Sequence, residues 1–181
     1  MRVTNCELSA ATGKVLAADV HCQTSLPGFD NSAVDGYALH ANDLAQGASS
    51  QIVGAISAGQ DVSSLSVKAG TCVRILTGAP VCEGAVAVVM QEDVVVEGNQ
   101  IRLSEGVQLG AGIRRAGEEF RAGDVVLKAL QVLNPASIAT AAMAGVSTLS
   151  VFEPVRTAII STGSELQPPG SSLEPGQIYE A

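Results

Sequence analysis

Tryptophan is absent from this chain, and Phe and Tyr bring the aromatic share to only 3%. Recognition of bases or sugars leans on exposed rings, so single-stranded nucleic acid and carbohydrate modules are disfavoured. The core must be built from Val, Ile, Leu and Ala, within a hydrophobic content of 46%. Basic residues are also scarce. Ten Lys and Arg stand against 18 Asp and Glu, for a formal net charge of -8. Such a surface repels nucleic acid and anionic membranes over a Debye length of about 8 Å, so neither is expected as a partner. An anionic ligand would then need a local device: clustered Arg or Lys, a helix N-terminus or a bound divalent cation.

Other absences narrow the field further. No apolar run approaches the roughly 20 residues of a membrane span, and residues 1–6 lack the apolar segment of a signal peptide. The four cysteines, Cys6, Cys22, Cys72 and Cys82, form no C-x-x-C pair and match no zinc spacing. They are expected to be buried or half-buried free thiols in a reducing cytosol, so the expected location is cytoplasmic. His21 and His40 are the only histidines, and both are expected to be non-catalytic. No P-loop, H-E-x-x-H or dependable Ser-His-Asp pattern occurs.

What is present is mostly β in texture. Residues 51–57, 72–76, 85–90, 93–97, 100–103 and 125–132 are short strand-like runs separated by turn signals, with Gly98-Asn99 read as a tight hairpin turn. Strands at this spacing predict a small barrel or sandwich. Residues 7–20 read as a short helix followed by a strand, and Ser32 to Asp35 has the S-x-x-D shape of a helix cap. The clearest helix spans 134–145, with Asn134 as cap, Pro135 in the first turn and Gly145 as stop. Residues 155–160 read as a buried strand running into S-T-G-S-E-L at 161–166, the way an α/β domain opens. Only 27 residues run from Val155 to the last residue, fewer than the roughly 30 of one βαβ unit, so a truncated third domain is expected.

Four segments carry candidate chemistry. Asp35 precedes Gly36, so its carboxylate is expected on a rigid corner; a plain Asx turn is the competing reading. Thr77 ends a strand, and Gly78 lets a ligand or another chain approach the backbone; a simple turn competes. Arg114 and Arg115 lie near Glu118 and Glu119. Guanidinium groups grip oxyanions and carboxylates hold hard cations such as Mg²⁺, while a solvated charge run competes. In the last segment Ser161, Thr162, Gly163 and Glu165 bring hydroxyls, backbone N–H groups and a carboxylate together.

Taken in order, these segments resemble one family. LPGFDNSAVDGYA at 26–38, RILTGAPV at 74–81, VVMQED at 88–93, IRRAGE at 113–118, IISTGSEL at 159–166 and PGQIY at 175–179 are similar to successive motifs of the molybdopterin molybdenumtransferases, MoeA in bacteria and the E domain of gephyrin in animals. The resemblance implies an α+β chain. A linker and dimerisation domain (1–25 and 118–153) would carry an inserted β-rich, barrel-like domain (26–117). Residues 154–181 would begin an α/β molybdopterin-binding domain. It implies insertion of molybdate into adenylylated molybdopterin with release of AMP and use of Mg²⁺. It also implies a homodimer whose cleft lies between the third domain of one subunit and the first two of its partner. The molybdopterin adenylyltransferase that supplies the substrate is a further expected partner.

Carried over by position, Asp35, Thr77, Glu119 and Glu165 are the expected catalytic residues. The three carboxylates would organise Mg²⁺, and Thr77 would donate a hydrogen bond near molybdate. Ser161, Thr162, Gly163, Arg114, Arg115 and Gly78 are the expected substrate contacts. The sequence departs from the family at Glu119 (usually Asp), Ser164 (usually Asp), Cys82 (usually Pro) and Val34 (usually Met). It also lacks the usual extension before Glu7. By itself the chain is expected to be inactive, and a non-catalytic dimerisation scaffold is the alternative.

Overall fold

The computed structural model describes residues 2–180. Among them the strands are β1 (Val3–Glu7), β2 (Val20–His21), β3 (Asn31–Ser32), β4 (Gly36–His40), β5 (Ser49–Ile56), β6 (Thr71–Ile75), β7 (Ala85–Met90), β8 (Val94–Glu97), β9 (Gln100–Leu103), β10 (Ile113–Arg114), β11 (Val125–Leu127), β12 (Thr148–Phe152), β13 (Leu166–Gln167) and β14 (Ile178–Tyr179). The α-helix is α1 (Pro135–Met143). The fold is therefore mostly β.

Six strands form one open sheet in the order β7-β4-β6-β5-β9-β8. Side-chain alternation gives this sheet two apolar faces. Ala38, Val73, Ile75 and Val88 pack on one side with Ile56, Val67 and Cys82. Tyr37, Leu39, Cys72 and Val89 pack on the other with Ile101 and Leu103. β4 is buried from Gly36 through Leu39 because it has neighbours on both edges and a cluster on each face. Register shifts at Ile52/Gly54 in β5 and Leu39/His40 in β4 accompany the curl of the sheet into a half-barrel. The β8–β9 hairpin turns at Gly98-Asn99, with Glu97 paired to Gln100 and Gly98 at φ +64°, as the sequence predicts.

A separate core gathers Ala11, Leu16 and Val20 with Leu127, Leu133, Ala141, Leu149 and Val151. Leu16, Leu133 and Leu149 are fully buried, each worth about 1.5–3 kcal/mol relative to an exposed side chain. β1 pairs with β12 and β2 with β11, both antiparallel. α1 closes this core by turning Ser137 and Ala141 inward. The Asn134 side chain caps it by accepting the Ser137 N–H at 2.9 Å. The chain thus leaves one apolar interior near residue 22, builds the half-barrel, and returns near residue 124. Outward and return passes are tied together: Cys22 N–H to Asp124 C=O and Gly123 N–H to Cys22 C=O at 2.8 Å each, then Leu26 N–H to Phe120 C=O at 2.8 Å.

Three sequence expectations need correction. The expected helix in 7–20 is only a 3-10 turn, Leu8–Ala10; Gly13, at φ +80°, bends the chain away from a helix. Ser32 to Asp35 forms no helical turn. Ser32 lies in β3, and its hydroxyl donates to the Val34 carbonyl at 2.6 Å, an interaction that replaces a helix cap. Residues 155–160 are not a strand: Val155, Ile159 and Ile160 are 76%, 87% and 82% exposed. An apolar run becomes a strand only where neighbours accept its backbone bonds, and no described residue does so here. The short parallel pair of β13 and β14 follows this segment. Among the described residues no helix is long and apolar enough to cross a membrane.

Candidate functional site

The first two motifs meet at a corner after β3. Asn31 bridges to Pro80, Ser32 N–H donates to Ala79 C=O at 3.0 Å, and Gly78 N–H donates to Ser32 C=O at 2.8 Å. Gly78 sits at φ +81°, which turns the chain sharply after Thr77. Gly36 is fixed by contact: a Cβ there would lie 1.8 Å from the Val89 carbonyl oxygen. The Asp35 carbonyl accepts the Gln91 N–H at 3.0 Å, which fixes the backbone from the β7 side. These restraints carry the exposed Asp35 carboxylate to Thr77. The Thr77 N–H and hydroxyl both donate to Asp35 Oδ1, at 2.7 and 2.8 Å. The backbone donor, then the hydroxyl, holds the Asp35 carboxyl below its ordinary value of 3.8, with a smaller contribution from the charge of Arg74. Asp35 is anionic at neutral pH.

The 113–119 segment lies against the same corner. Ile113 pairs with Ser32 and Arg114 with Asn31. Arg114 Nε donates to Asn31 Oδ1 at 3.1 Å. The Arg115 guanidinium pairs with Asp30, whose other oxygen accepts the Ala116 N–H at 2.9 Å. Both contacts push the Asp30 carboxyl down, the backbone bond foremost. Glu118 accepts the Arg115 N–H at 2.8 Å. Glu119 is exposed, and its N–H donates to the Leu26 carbonyl at 3.0 Å. Asp35 and Glu119 are thus fixed at opposite ends of residues 26–35. Asp30 and Asn31, which sequence reasoning passed over, hold the two arginines. The available signal was an acid-amide pair whose charge complements Arg-Arg.

The structure joins Asp35, Thr77 and Gly78 directly and brings Arg114 and Arg115 to the same corner through Asn31 and Asp30. It does not bring the 161–165 loop to them within one chain. Ser161, Thr162, Gly163 and Glu165 are exposed. The loop bonds to its own segment, with Leu166 N–H on Gly163 C=O and Ile178 N–H on Glu165 C=O. Among the described residues no group of three or more His, Cys, Asp or Glu side chains is placed to hold a metal ion. Two clefts of about 330 and 350 Å³ flank other parts of the surface. One is lined by Val34, Met90, Asp93 and Gln108, the other by Val15, Leu130, Phe152 and Val155, and neither includes the expected catalytic side chains.

All four thiols are free. Burial, then the charge of Asp43, pushes Cys72 up to about 12, and burial raises Cys82, so neither ionises at neutral pH. His21 Nδ1 lies 3.1 Å from the Gly123 carbonyl, and His40 Nδ1 accepts the Asn42 N–H at 3.2 Å; both histidines have local structural partners.

The family model for the MoeA N-terminal region (domain I and II) matches residues 1–145. The chain belongs to the MoeA family. A relative called molybdopterin molybdenumtransferase 2, from Mycobacterium tuberculosis (strain CDC 1551 / Oshkosh), is 41% identical over 179 residues, covering 96% of this chain and 44% of the relative. The molybdopterin molybdenumtransferase of Haemophilus influenzae is 37% identical over 174 residues, covering 96% of the chain and 43% of the relative. A crystal structure of the molybdopterin biosynthesis MoeA protein of Pyrococcus horikoshii OT3 matches with a TM-score of 0.91 at 34% identity, over 99% of this chain and 49% of that one. This MoeA-family chain therefore spans less than half the length of its curated relatives. Those relatives' names place the family in molybdenum cofactor biosynthesis.

Proposed function

We propose that this chain supplies the linker and half-barrel side of a site that inserts molybdate into adenylylated molybdopterin with release of AMP. The carrying observation is the Asp35–Thr77 corner: an anionic carboxylate held by two donors to one oxygen, on an open surface. Such a surface suits a cleft completed by a second wall. We assign that wall to the 161–165 loop of a second copy, with Ser161, Thr162 and Gly163 as substrate contacts and Glu165 as the facing carboxylate. Residues 1–25 with 118–153, 26–117 and 154–181 are the three domains in this reading, and the chain works as a cytoplasmic homodimer.

Mg²⁺ fits the donors present. It is commonly held by one or two carboxylates together with substrate phosphates and water. Asp35 and Glu119 are both exposed, and in this reading each offers a carboxylate that Glu165 of a second copy would join across the dimer. When bound, the ion would neutralise charge on the pyrophosphate link and act as a Lewis acid. The protein's own groups do the rest. Asp35 presents a fixed negative charge. Gly78 leaves backbone room for substrate. Arg114, with only Nε committed to Asn31, directs its remaining N–H groups toward the oxyanion. Arg115 is held by Asp30 and steadies the loop that carries Glu119. The molybdopterin adenylyltransferase is the proposed supplier of the substrate.

The test joins residues 1–181 to the remaining length of the Haemophilus influenzae relative and measures Mg²⁺-dependent AMP release from adenylylated molybdopterin plus molybdate. The fusion should turn over, and the chain alone should stay at background. Asp35→Asn in the fusion should cut turnover at least about 100-fold while the melting curve stays in place. A fusion that folds as a dimer yet releases no AMP would sink the proposal, as would an unimpaired Asp35→Asn variant.

A further inference from the structure

Asp35 has two carboxylate oxygens, and the described residues use one. Thr77 N–H and Thr77 Oγ1 both donate to Oδ1, and no described group donates to Oδ2. Thr77 is equally committed. A hydroxyl carries one proton, so once that proton lies on Asp35 only lone pairs face any third group. Both residues are fixed before their side chains meet, Asp35 by Gly36 and the Gln91 bond, Thr77 by the turn at Gly78.

We infer that Thr77 is a positioning residue, which orients Asp35 so that this carboxylate meets its ligand through Oδ2 alone, and that Thr77 does not donate to the substrate oxyanion. The family resemblance implies the opposite part for Thr77, a donor near molybdate. The chemistry of the pair argues against that part. Lone pairs on Oγ1 and the charge on Asp35 both repel an oxyanion at this point, so the immediate neighbour of Oδ2 is a cation or an N–H or O–H donor. The lowered carboxyl of Asp35 agrees with a full complement of donors on one oxygen. The inference rests on the reading that this corner faces substrate, but its test does not need turnover.

The carboxyl carbon of Asp35 is followed by NMR through an acid titration in the 181-residue chain and in Thr77→Ser and Thr77→Val. The wild type and Thr77→Ser should titrate below 3.8. Thr77→Val, which keeps the N–H and loses the hydroxyl, should move up toward that value with other signals unchanged. Should Thr77→Val fail to fold, Thr77→Ala gives the same reading. Molybdate added alone should leave the Asp35 and Thr77 signals where they are. A folded Val or Ala variant that titrates like the wild type would overturn the inference, as would a saturable molybdate shift at Thr77. Absent AMP release in the fusion would count against the proposed function and leave this result standing.

Discussion

Side chains at two backbone positions decide much here. At Gly36 even a methyl group collides with main chain, since the Val89 carbonyl oxygen and carbon would lie 1.8 and 2.8 Å from a Cβ. Backbone inside a sheet yields far less than a side-chain tip. Gly36→Ala is expected to cost about 3 kcal/mol or more, read as a lower urea midpoint, and an unchanged midpoint would contradict the tight β4–β7 packing. Leu130 is the reverse case. It is the one non-glycine residue at positive φ among those described, at +68°, and it is 72% exposed. A left-handed backbone costs an L-residue roughly 1–2 kcal/mol, and glycine gives back about 0.5–1 kcal/mol through the freedom of the unfolded chain. Leu130→Gly should therefore be neutral to about 1 kcal/mol stabilising by the same measurement.

At the scale of elements, legibility tracked distance along the chain. The helix was readable because its signals are neighbours: cap, Pro and stop lie within residues 134–145, and the cap forms as expected. Asn134→Ala should cost about 1 kcal/mol, seen as a lower thermal midpoint. The Gly98-Asn99 turn was readable for the same reason. The Asp35–Thr77 bond was not, because 42 residues separate its partners, although each partner stood out by itself on a glycine-bearing turn. Residues 155–160 misled because an apolar run states what ought to be covered, not what is there to cover it. Arg114 and Arg115 were recognised as a charge pair, but their partners, Asn31 and Asp30, lie 83 and 85 residues away. Asp30→Ala removes the acceptor for both Arg115 and Ala116. Hydrogen exchange at the Ala116 amide should rise by about tenfold for each 1.4 kcal/mol lost, with Leu39 in the sheet unaffected.

Over the whole molecule, the acidic balance is met by many local bonds rather than by a few ion pairs. Asp19, Asp30, Asp35 and Asp61 are all held below 3.8, Asp19 chiefly by the Ala129 N–H and Asp61 by the Ser63 hydroxyl. A carboxyl lowered in the folded state favours folding above its unfolded value, and that contribution fades as pH falls through the folded value. The urea midpoint should therefore hold between neutral pH and about pH 5, then drop below about pH 4. An Asp30→Asn, Asp35→Asn double variant should lose less on acidification than the wild type. A midpoint that stays flat to pH 2 would mean these bonds carry no net stability.

The tie between residues 22–26 and 120–124 has one more consequence. Every connection of the half-barrel to the first core along the chain runs through these two passes, held at hydrogen-bond distance. Severing both and splicing the stumps with a short linker asks little extra loop closure of either piece. Each fragment would retain an oily centre of its own, so the half-barrel is a cassette, and transplanting it between MoeA relatives should carry Asp35 and Thr77 across as one intact unit.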